Sequence, residues 1–73
     1  MRVEYDASVD AAYIYLVPKI PAGGVERTVP VDPREIDGMI NLDFDSDGRL
    51  VGIEVLDASQ FLSPELLRSG RSS

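Results

Sequence analysis

The sequence contains no cysteine and no histidine. Without cysteine the chain forms neither a disulfide nor a thiolate metal site, and nothing in it indicates an oxidising compartment. Without histidine it lacks the commonest general base and the commonest metal ligand, so carboxylates, tyrosines and hydroxyls are the only candidate chemical groups. We therefore expect no catalytic residues, no cofactor and no enzymatic activity.

Long apolar runs and basic residues are also scarce. No stretch approaches the roughly 18 apolar residues of a membrane span, and Glu4 and Asp6 stand where a signal peptide needs an apolar core. Seven basic residues against thirteen acidic ones give a net charge of -6, which repels phosphate backbones and attracts basic proteins. We expect a cytoplasmic protein that binds neither membranes nor nucleic acid, and whose charge suits a basic protein partner.

The chain is short. At 73 residues it forms one domain, which buries only about 60% of the surface that the unfolded chain exposes. Such a core gives modest stability without a disulfide or a metal, so the sequence predicts a homo-oligomer, most simply a dimer. We place the domain at residues 1–67 and predict a disordered tail at 68–73, where no apolar residue anchors the chain.

Alternating apolar residues predict a small antiparallel sheet of four or five strands, arranged as hairpins or a meander. Val3 and Tyr5 alternate with polar neighbours, and residues 11–17 continue with aromatic and branched side chains, which is typical of a β-hairpin. Further strands are predicted at 25–31, 39–44 and 51–55. Pro30 places the first of these at a sheet edge or a bulge, because proline cannot donate a ladder hydrogen bond.

A short C-terminal helix is predicted after the sheet. Ser63 is a suitable N-cap and Pro64 suits the first helical position. Leu62 and Leu67 occupy the two positions of a hydrophobic staple around this cap. Sheet and helix together predict an α+β fold.

One segment matches the pattern of a calcium-binding loop. Asp43, Asp45, Asp47, Gly48 and Glu54 occupy the specified positions of D-x-[DN]-x-[DN]-G-x5-E. A true loop of this kind stands between two helices, whereas strands are predicted on both sides here. We interpret the segment as a β-turn in which Gly48 supplies a positive φ. The sequence thus predicts no metal site, and weak divalent-cation binding by the three aspartates is the alternative.

The expected strand pairing supports the turn interpretation. It pairs Phe44 with Arg49, Leu42 with Val51, and Ile40 with Ile53. Asp43 then lies opposite Leu50, and Glu54 lies roughly 13 Å further along the strand. At that separation the two carboxylates cannot share a cation.

Two blocks of the sequence carry a family resemblance. They are Tyr5-Asp6-x-x-x-Asp10-Ala11-x-Tyr13-Ile14-x-Leu16 and Asp43-x-Asp45-x-Asp47-Gly48-Arg49-Leu50-Val51-Gly52-Ile53-Glu54-Val55-Leu56-Asp57-Ala58-Ser59. Together they resemble the small bacterial and archaeal proteins grouped as the DUF2283 family, whose function is unknown. The resemblance implies an antiparallel sheet with a short terminal helix and supplies no catalytic residues. Because some members are encoded beside small ribonuclease-like toxin domains, it also implies an alternative role as an antitoxin-like inhibitor of a basic nuclease.

The last predicted strand also suggests an interface. Gly52 leaves space on the face opposite the core, where another backbone or a neighbouring subunit could approach closely. Strand alternation places Leu50, Glu54 and Leu56 on that same face, and exposed leucines on so small a sheet indicate that the face is buried in an assembly. We therefore predict a non-enzymatic interaction module that self-associates through these four residues.

Overall fold

A computed structural model describes residues 1–70 as a five-stranded sheet followed by two short helices. The strands are β1 (Arg2–Asp6), β2 (Ala11–Tyr15), β3 (Arg27–Pro30), β4 (Ile40–Phe44) and β5 (Leu50–Leu56), and the helices are α1 (Ala58–Phe61) and α2 (Pro64–Gly70). The predicted α+β class with an antiparallel sheet is confirmed, although α1 was not predicted. Within these 70 residues, no helix has the length and apolar character to cross a membrane.

The strands are antiparallel throughout, and their order across the sheet is β1-β2-β5-β4-β3. Consecutive strands pair in three places, but β2 lies beside β5 and not beside β3. The sheet is therefore not a simple meander, because the connection from β2 must reach the far edge before β3 begins. The edge position predicted for the strand containing Pro30 is confirmed.

Cross-strand pairing separates the side chains onto two faces. One row across the sheet contains Val3, Ile14, Ile53, Leu42 and Val29, and the next contains Tyr5, Ala12, Val55 and Ile40. We call this the apolar face. The buried cluster of Ala12, Val55, Ala58 and Leu67 joins it to the helices. The opposite side, which we call the polar face, carries the alternate residues of each strand.

The C-terminal helix begins as the sequence predicts. The N–H of Leu66 donates to Ser63 Oγ at 3.2 Å, which confirms the N-cap. Leu67 is buried and Leu62 packs against the same cluster, as the staple requires. The helix includes 68–70, the first three residues of the segment predicted as a tail, and the remainder of that segment lies outside the described residues.

The main chain at both sheet edges is arranged in a way that limits further strand pairing. At the β1 edge, the Leu16 N–H donates to the Val51 carbonyl, so alternate residues of β2 bond to β5 and the others bond to β1. Val3 lies opposite a residue that bonds to β5, and its own N–H and carbonyl therefore point outward, away from β2. The buried Gly70 of α2 lies against the Val3 carbonyl, where a Cβ would meet its oxygen at 2.9 Å. At the other edge Val31 N–H donates to Ile40 at 2.8 Å, so the nitrogen of Pro30, which has no proton, faces outward.

The predicted register of β4 on β5 is wrong, by two residues along most of the strand and by one residue at Phe44. Leu42 lies opposite Ile53, Ile40 opposite Val55, and Asp43 opposite Gly52, whereas Phe44 lies opposite Leu50. A register shift between Asp43 and Phe44 leaves Val51 without a partner on β4. This extra residue is a β-bulge. The apolar residues still face one another, because a shift of two residues preserves the face.

Candidate functional site

The polar face is the part of the sheet without a helical layer, and it concentrates the chain's polar side chains. Across the strands, one row runs Glu4, Tyr13, Glu54, Asn41 and Pro30, and the neighbouring row runs Arg2, Tyr15, Gly52, Asp43 and Thr28. Two predicted interface residues, Gly52 and Glu54, thus lie in the middle of this face.

A hydrogen-bonded bridge crosses β5 on this face. The hydroxyl of Tyr13 donates to Asp43 Oδ2 at 2.6 Å, and that of Thr28 donates to Asp43 Oδ1 at 2.6 Å. Tyr13 on β2 reaches β4 only by passing over Gly52, where any Cβ would overlap the phenolic oxygen. Burial, followed by the bond to the Asp43 carboxylate, raises the pKa of Tyr13 well above its usual value. The tyrosine therefore stays a neutral donor at neutral pH.

The space above Gly52 was predicted to receive another backbone or subunit. In the structure Tyr13 of the same chain fills it, and Gly52 is buried. The glycine has a clear physical role, since it lets an aromatic ring cross the strand. That role is intramolecular, so Gly52 offers no surface to a partner.

The other predicted interface residues separate. Glu54 accepts a hydrogen bond from Asn41 Nδ2 at 2.8 Å, and Leu56 is half-buried at the end of the same strand. Leu50 pairs with Phe44, which places it on the apolar face, where it is 36% exposed. The bulge at Val51 causes the difference, because one extra residue reverses the alternation that the prediction assumed.

The aspartates of the calcium-loop pattern are engaged in the hairpin itself. Asp45 Oδ1 accepts the N–H groups of Asp47 and Arg49, each at 2.9 Å. Gly48 has a φ of 78°, which confirms the predicted positive value. Asp43 forms the bridge with Tyr13 and Thr28. In residues 1–70, no three acidic side chains are grouped so that they could hold a metal ion.

In the observed register Asp43 and Glu54 lie closer together than the sequence predicts. Glu54 lies two residues beyond the partner of Asp43, which is about 7 Å along the strand. The predicted separation was nearly twice that. What keeps the two carboxylates apart is their bonding, because Asp43 accepts from Tyr13 and Glu54 accepts from Asn41.

No sequence pattern indicated the importance of Asp10, which lies in the turn between β1 and β2. Its carboxylate accepts the Tyr5 hydroxyl at 2.7 Å, the Ser59 N–H at 3.0 Å and the Ser59 hydroxyl at 2.7 Å. Its carbonyl accepts Ala58 N–H at 2.9 Å. The bond from Tyr5, and then that from Ser59, lowers the pKa of Asp10. Asp10 thus caps α1 from the β1–β2 turn, while the helix's own N-cap residue, Asp57, makes no side-chain cap bond.

A cleft of about 670 Å³ opens on the polar side of β1 and β2. Three carboxylates line it, those of Glu4, Asp6 and Glu54, together with the ring of Tyr13. In the adjoining row the guanidinium of Arg2 lies 4.0 Å from the centre of the Tyr15 ring. A hydrogen bond with Glu4 is the main reason that the pKa of Tyr15 is raised. This half of the polar face is thus acidic and aromatic.

Fold and surface define a small α+β protein with one helix-covered sheet face and one open polar face. Comparison with protein families matches residues 2–59 to DUF2283, described as a protein of unknown function. The chain therefore belongs to the DUF2283 family, which confirms the resemblance seen in its two sequence blocks. Neither the curated proteins nor the solved structures gave a match.

Proposed function

We propose that this DUF2283 protein is a non-enzymatic interaction module that self-associates through the part of its apolar face that the helices leave uncovered. This part, the open apolar end, consists of Val29, Leu42, Phe44 and Leu50. It replaces the interface predicted from the sequence, since only Leu50 is common to both.

The main support for this proposal is that the helices cover only part of the apolar face. The principal contact of α2 with the sheet is on β1, at the edge opposite β3. The buried cluster and the apolar side chains packed against it extend only to Ile40 on β4. Val29, Leu42 and Phe44 remain half-buried, and Leu50 beside them is 36% exposed. A second copy placed here would complete the layer that covers this face.

The size of the core supports association. Val55 is the only large side chain that is fully buried among the described residues. Several large apolar side chains remain exposed, among them Leu16, Val25 and Leu50.

Association through a face also fits the arrangement of the edges. Gly70 covers the outward carbonyl of Val3, and Pro30 presents a nitrogen without a proton. Neither edge is well suited to accept a strand from a second copy. A closed two-fold pairing of two apolar ends is then the simplest assembly.

Light scattering on matched variants tests the proposal. The wild-type mass is expected at twice 8.0 kDa, and Leu50→Asp should return it to the monomer value, since the dimer would bury an unpaired carboxylate. Met39→Asp is the control, because Met39 is 52% exposed but lies outside the open apolar end. Circular dichroism establishes that each variant is folded.

Three outcomes would count against this assignment. A wild-type monomer at micromolar concentration would refute self-association. A Leu50→Asp variant that stays dimeric while Leu56→Asp dissociates would return the interface to the face predicted from the sequence. Equal dissociation by Met39→Asp would mean that added charge acts without regard to position.

The two alternative roles stay predictions. An antitoxin-like role requires a nuclease partner, and co-expression with the neighbouring gene product would test it. Weak cation binding by Asp43, Asp45 and Asp47 would require Asp43 to exchange its bonds with Tyr13 and Thr28 for a metal, which weakens the case for it.

A further inference from the structure

We propose that the polar face docks a basic protein partner by receiving one of its arginine side chains in the cleft beside Tyr13. This surface is separate from the open apolar end, so it does not depend on self-association. Three features support it: the open sheet face, the position of Tyr13 between glutamates on the two neighbouring strands, and a similar arrangement that the chain already contains.

The row Glu4, Tyr13 and Glu54 gives the cleft its shape. These residues are direct cross-strand neighbours on β1, β2 and β5. Since adjacent strands are about 4.8 Å apart, the two glutamate backbones are separated by about 10 Å. The backbone of Tyr13 lies between them, and its ring extends over Gly52 toward Asp43. Small residues, Ala7 and Ala11, line the same cleft. A planar guanidinium in this cleft would therefore have the Tyr13 ring and the Glu4 and Glu54 carboxylates among its lining groups.

The ring and one carboxylate are fixed before any partner arrives. Tyr13 is held by its bond to Asp43, and Glu54 by its bond from Asn41. Fixed side chains lose little conformational entropy on binding, which favours affinity. A site built from these groups would be ready for a flat cation without rearrangement.

The adjoining row shows that this surface accommodates a guanidinium on a tyrosine. Arg2 lies over the Tyr15 ring at 4.0 Å from its centre, and Glu4 is near enough to raise the pKa of Tyr15. The same three components, a tyrosine face, a guanidinium and a glutamate, would recur at Tyr13 if a partner supplied the arginine. Arginine suits such a position better than lysine, because its planar group stacks on the ring and bonds carboxylates in pairs.

Charge complementarity identifies the partner as basic. Among residues 1–70 the only ion pair joins Arg34 to Asp32, so the carboxylates of Glu4, Asp6 and Glu54 have no ion-pair partner within that range. The whole chain carries a net charge of -6. Such a surface accelerates encounter with a basic protein and opposes nucleic acid.

A peptide-binding experiment tests the inference. Fluorescence anisotropy at low salt would compare the labelled peptide Gly-Arg-Gly-Arg-Gly with its lysine counterpart. The double variant E4Q/E54Q should weaken binding of the arginine peptide about tenfold, as expected for the loss of two partly exposed charge pairs. The matched control is E35Q/E65Q, which changes the net charge equally at two exposed positions away from the cleft.

The control separates a specific site from general attraction. Loss of affinity in E4Q/E54Q with retention in E35Q/E65Q supports the cleft. Equal losses in both double variants would show that only net charge matters and would overturn it. A lysine peptide that binds as tightly as the arginine peptide, or a wild-type protein that binds neither, would also overturn it.

Discussion

The turns that close the β1–β2 and β4–β5 hairpins both contain aspartates, but these side chains act over very different distances. Asp45 bonds main-chain groups two and four residues further along its own turn. Asp10 bonds Ser59, which is 49 residues away in sequence, and also the hydroxyl of Tyr5. One carboxylate shapes a local turn, and the other joins the start of the sheet to the start of the helices.

A match to a sequence motif therefore does not identify the aspartate with the longer-range role in the fold. The β4–β5 turn matches a known loop motif because aspartates and glycine form tight turns by local hydrogen bonding. Asp10 matches no motif, since its partners become neighbours only when the sheet is complete. Two glycines of the β4–β5 hairpin extend the contrast, because Gly48 acts through its own backbone and Gly52 through a distant tyrosine.

Gly52→Ala is expected to give the largest effect. A Cβ at this position overlaps the Tyr13 hydroxyl, so the ring must move and its bond to Asp43 must break, at a cost of about 2 kcal/mol. Urea denaturation measures this. In a Tyr13→Ala background the same substitution should become neutral or stabilising, because alanine suits a strand better than glycine. A cost that persists without the tyrosine would show that Gly52 has another role.

Asp10→Ala should lower the denaturation midpoint next most strongly, because it removes the acceptor for Tyr5 and Ser59 together. Asp57→Ala is the matched control. Both aspartates have positive φ, 53° and 52°, so both substitutions place alanine in the same unfavourable backbone region. Only Asp10 supplies side-chain cap bonds. Similar losses in the two variants would mean that the backbone, and not the cap, explains the effect.

Gly48→Val should cost about 1 kcal/mol. The residue has a φ of 78° and no atom near the position of a Cβ, so the cost arises from the backbone alone. Gly48→Asn should be tolerated better, because asparagine adopts left-handed conformations more readily. If valine and asparagine gave equal midpoints in chemical denaturation, the turn would not depend on the positive φ.

The β1–β2 turn should also respond to acid. Hydrogen bonds from Tyr5 and Ser59 hold the pKa of Asp10 below its ordinary value of 3.8. The folded state therefore binds this proton less readily than the unfolded state does. The resulting stability is present above that value and is lost as pH falls through the lower, folded pKa. Urea midpoints between neutral pH and pH 3 should fall less steeply in Asp10→Asn than in the wild type, and parallel slopes would contradict this.

Calcium should give the smallest effect, with no change in melting temperature at millimolar concentration. Asp43 and Asp45 already accept hydrogen bonds within the fold, so a cation would have to displace them. A ligand that binds the folded state raises its melting temperature. A rise of several degrees with calcium that magnesium does not reproduce, and that Asp45→Asn abolishes, would reinstate the motif as a binding site.

Local features of this fold could be predicted from the sequence. The strand alternation, the edge position of Pro30, the positive φ of Gly48 and the cap at Ser63 each depend on residues close together in the chain. The bulge at Val51 could not be predicted, because no local residue marks an inserted position. It moved Leu50 to the apolar face and so changed the proposed interface.

The remaining unpredicted features depend on topology. The contact of Tyr13 with Asp43 requires β5 to lie between β2 and β4, an order that strand patterns alone do not specify. The cap that Asp10 provides for α1 has the same origin. The first block of the family resemblance contains Asp10 and Tyr13, and the second contains their partners Ser59 and Asp43. The blocks alone do not indicate which of these residues are in contact.

The position of Gly70 has a practical consequence for handling the protein. It lies against the outward carbonyl of Val3, three residues past the domain limit of 67 predicted from the sequence. A chain truncated at 67 would lose this cover and leave the main chain of β1 open to pairing with other molecules. Exposed strands of this kind promote aggregation. Residues 68–70 of α2 are thus expected to limit such pairing, even though they contribute no apolar side chain to the core.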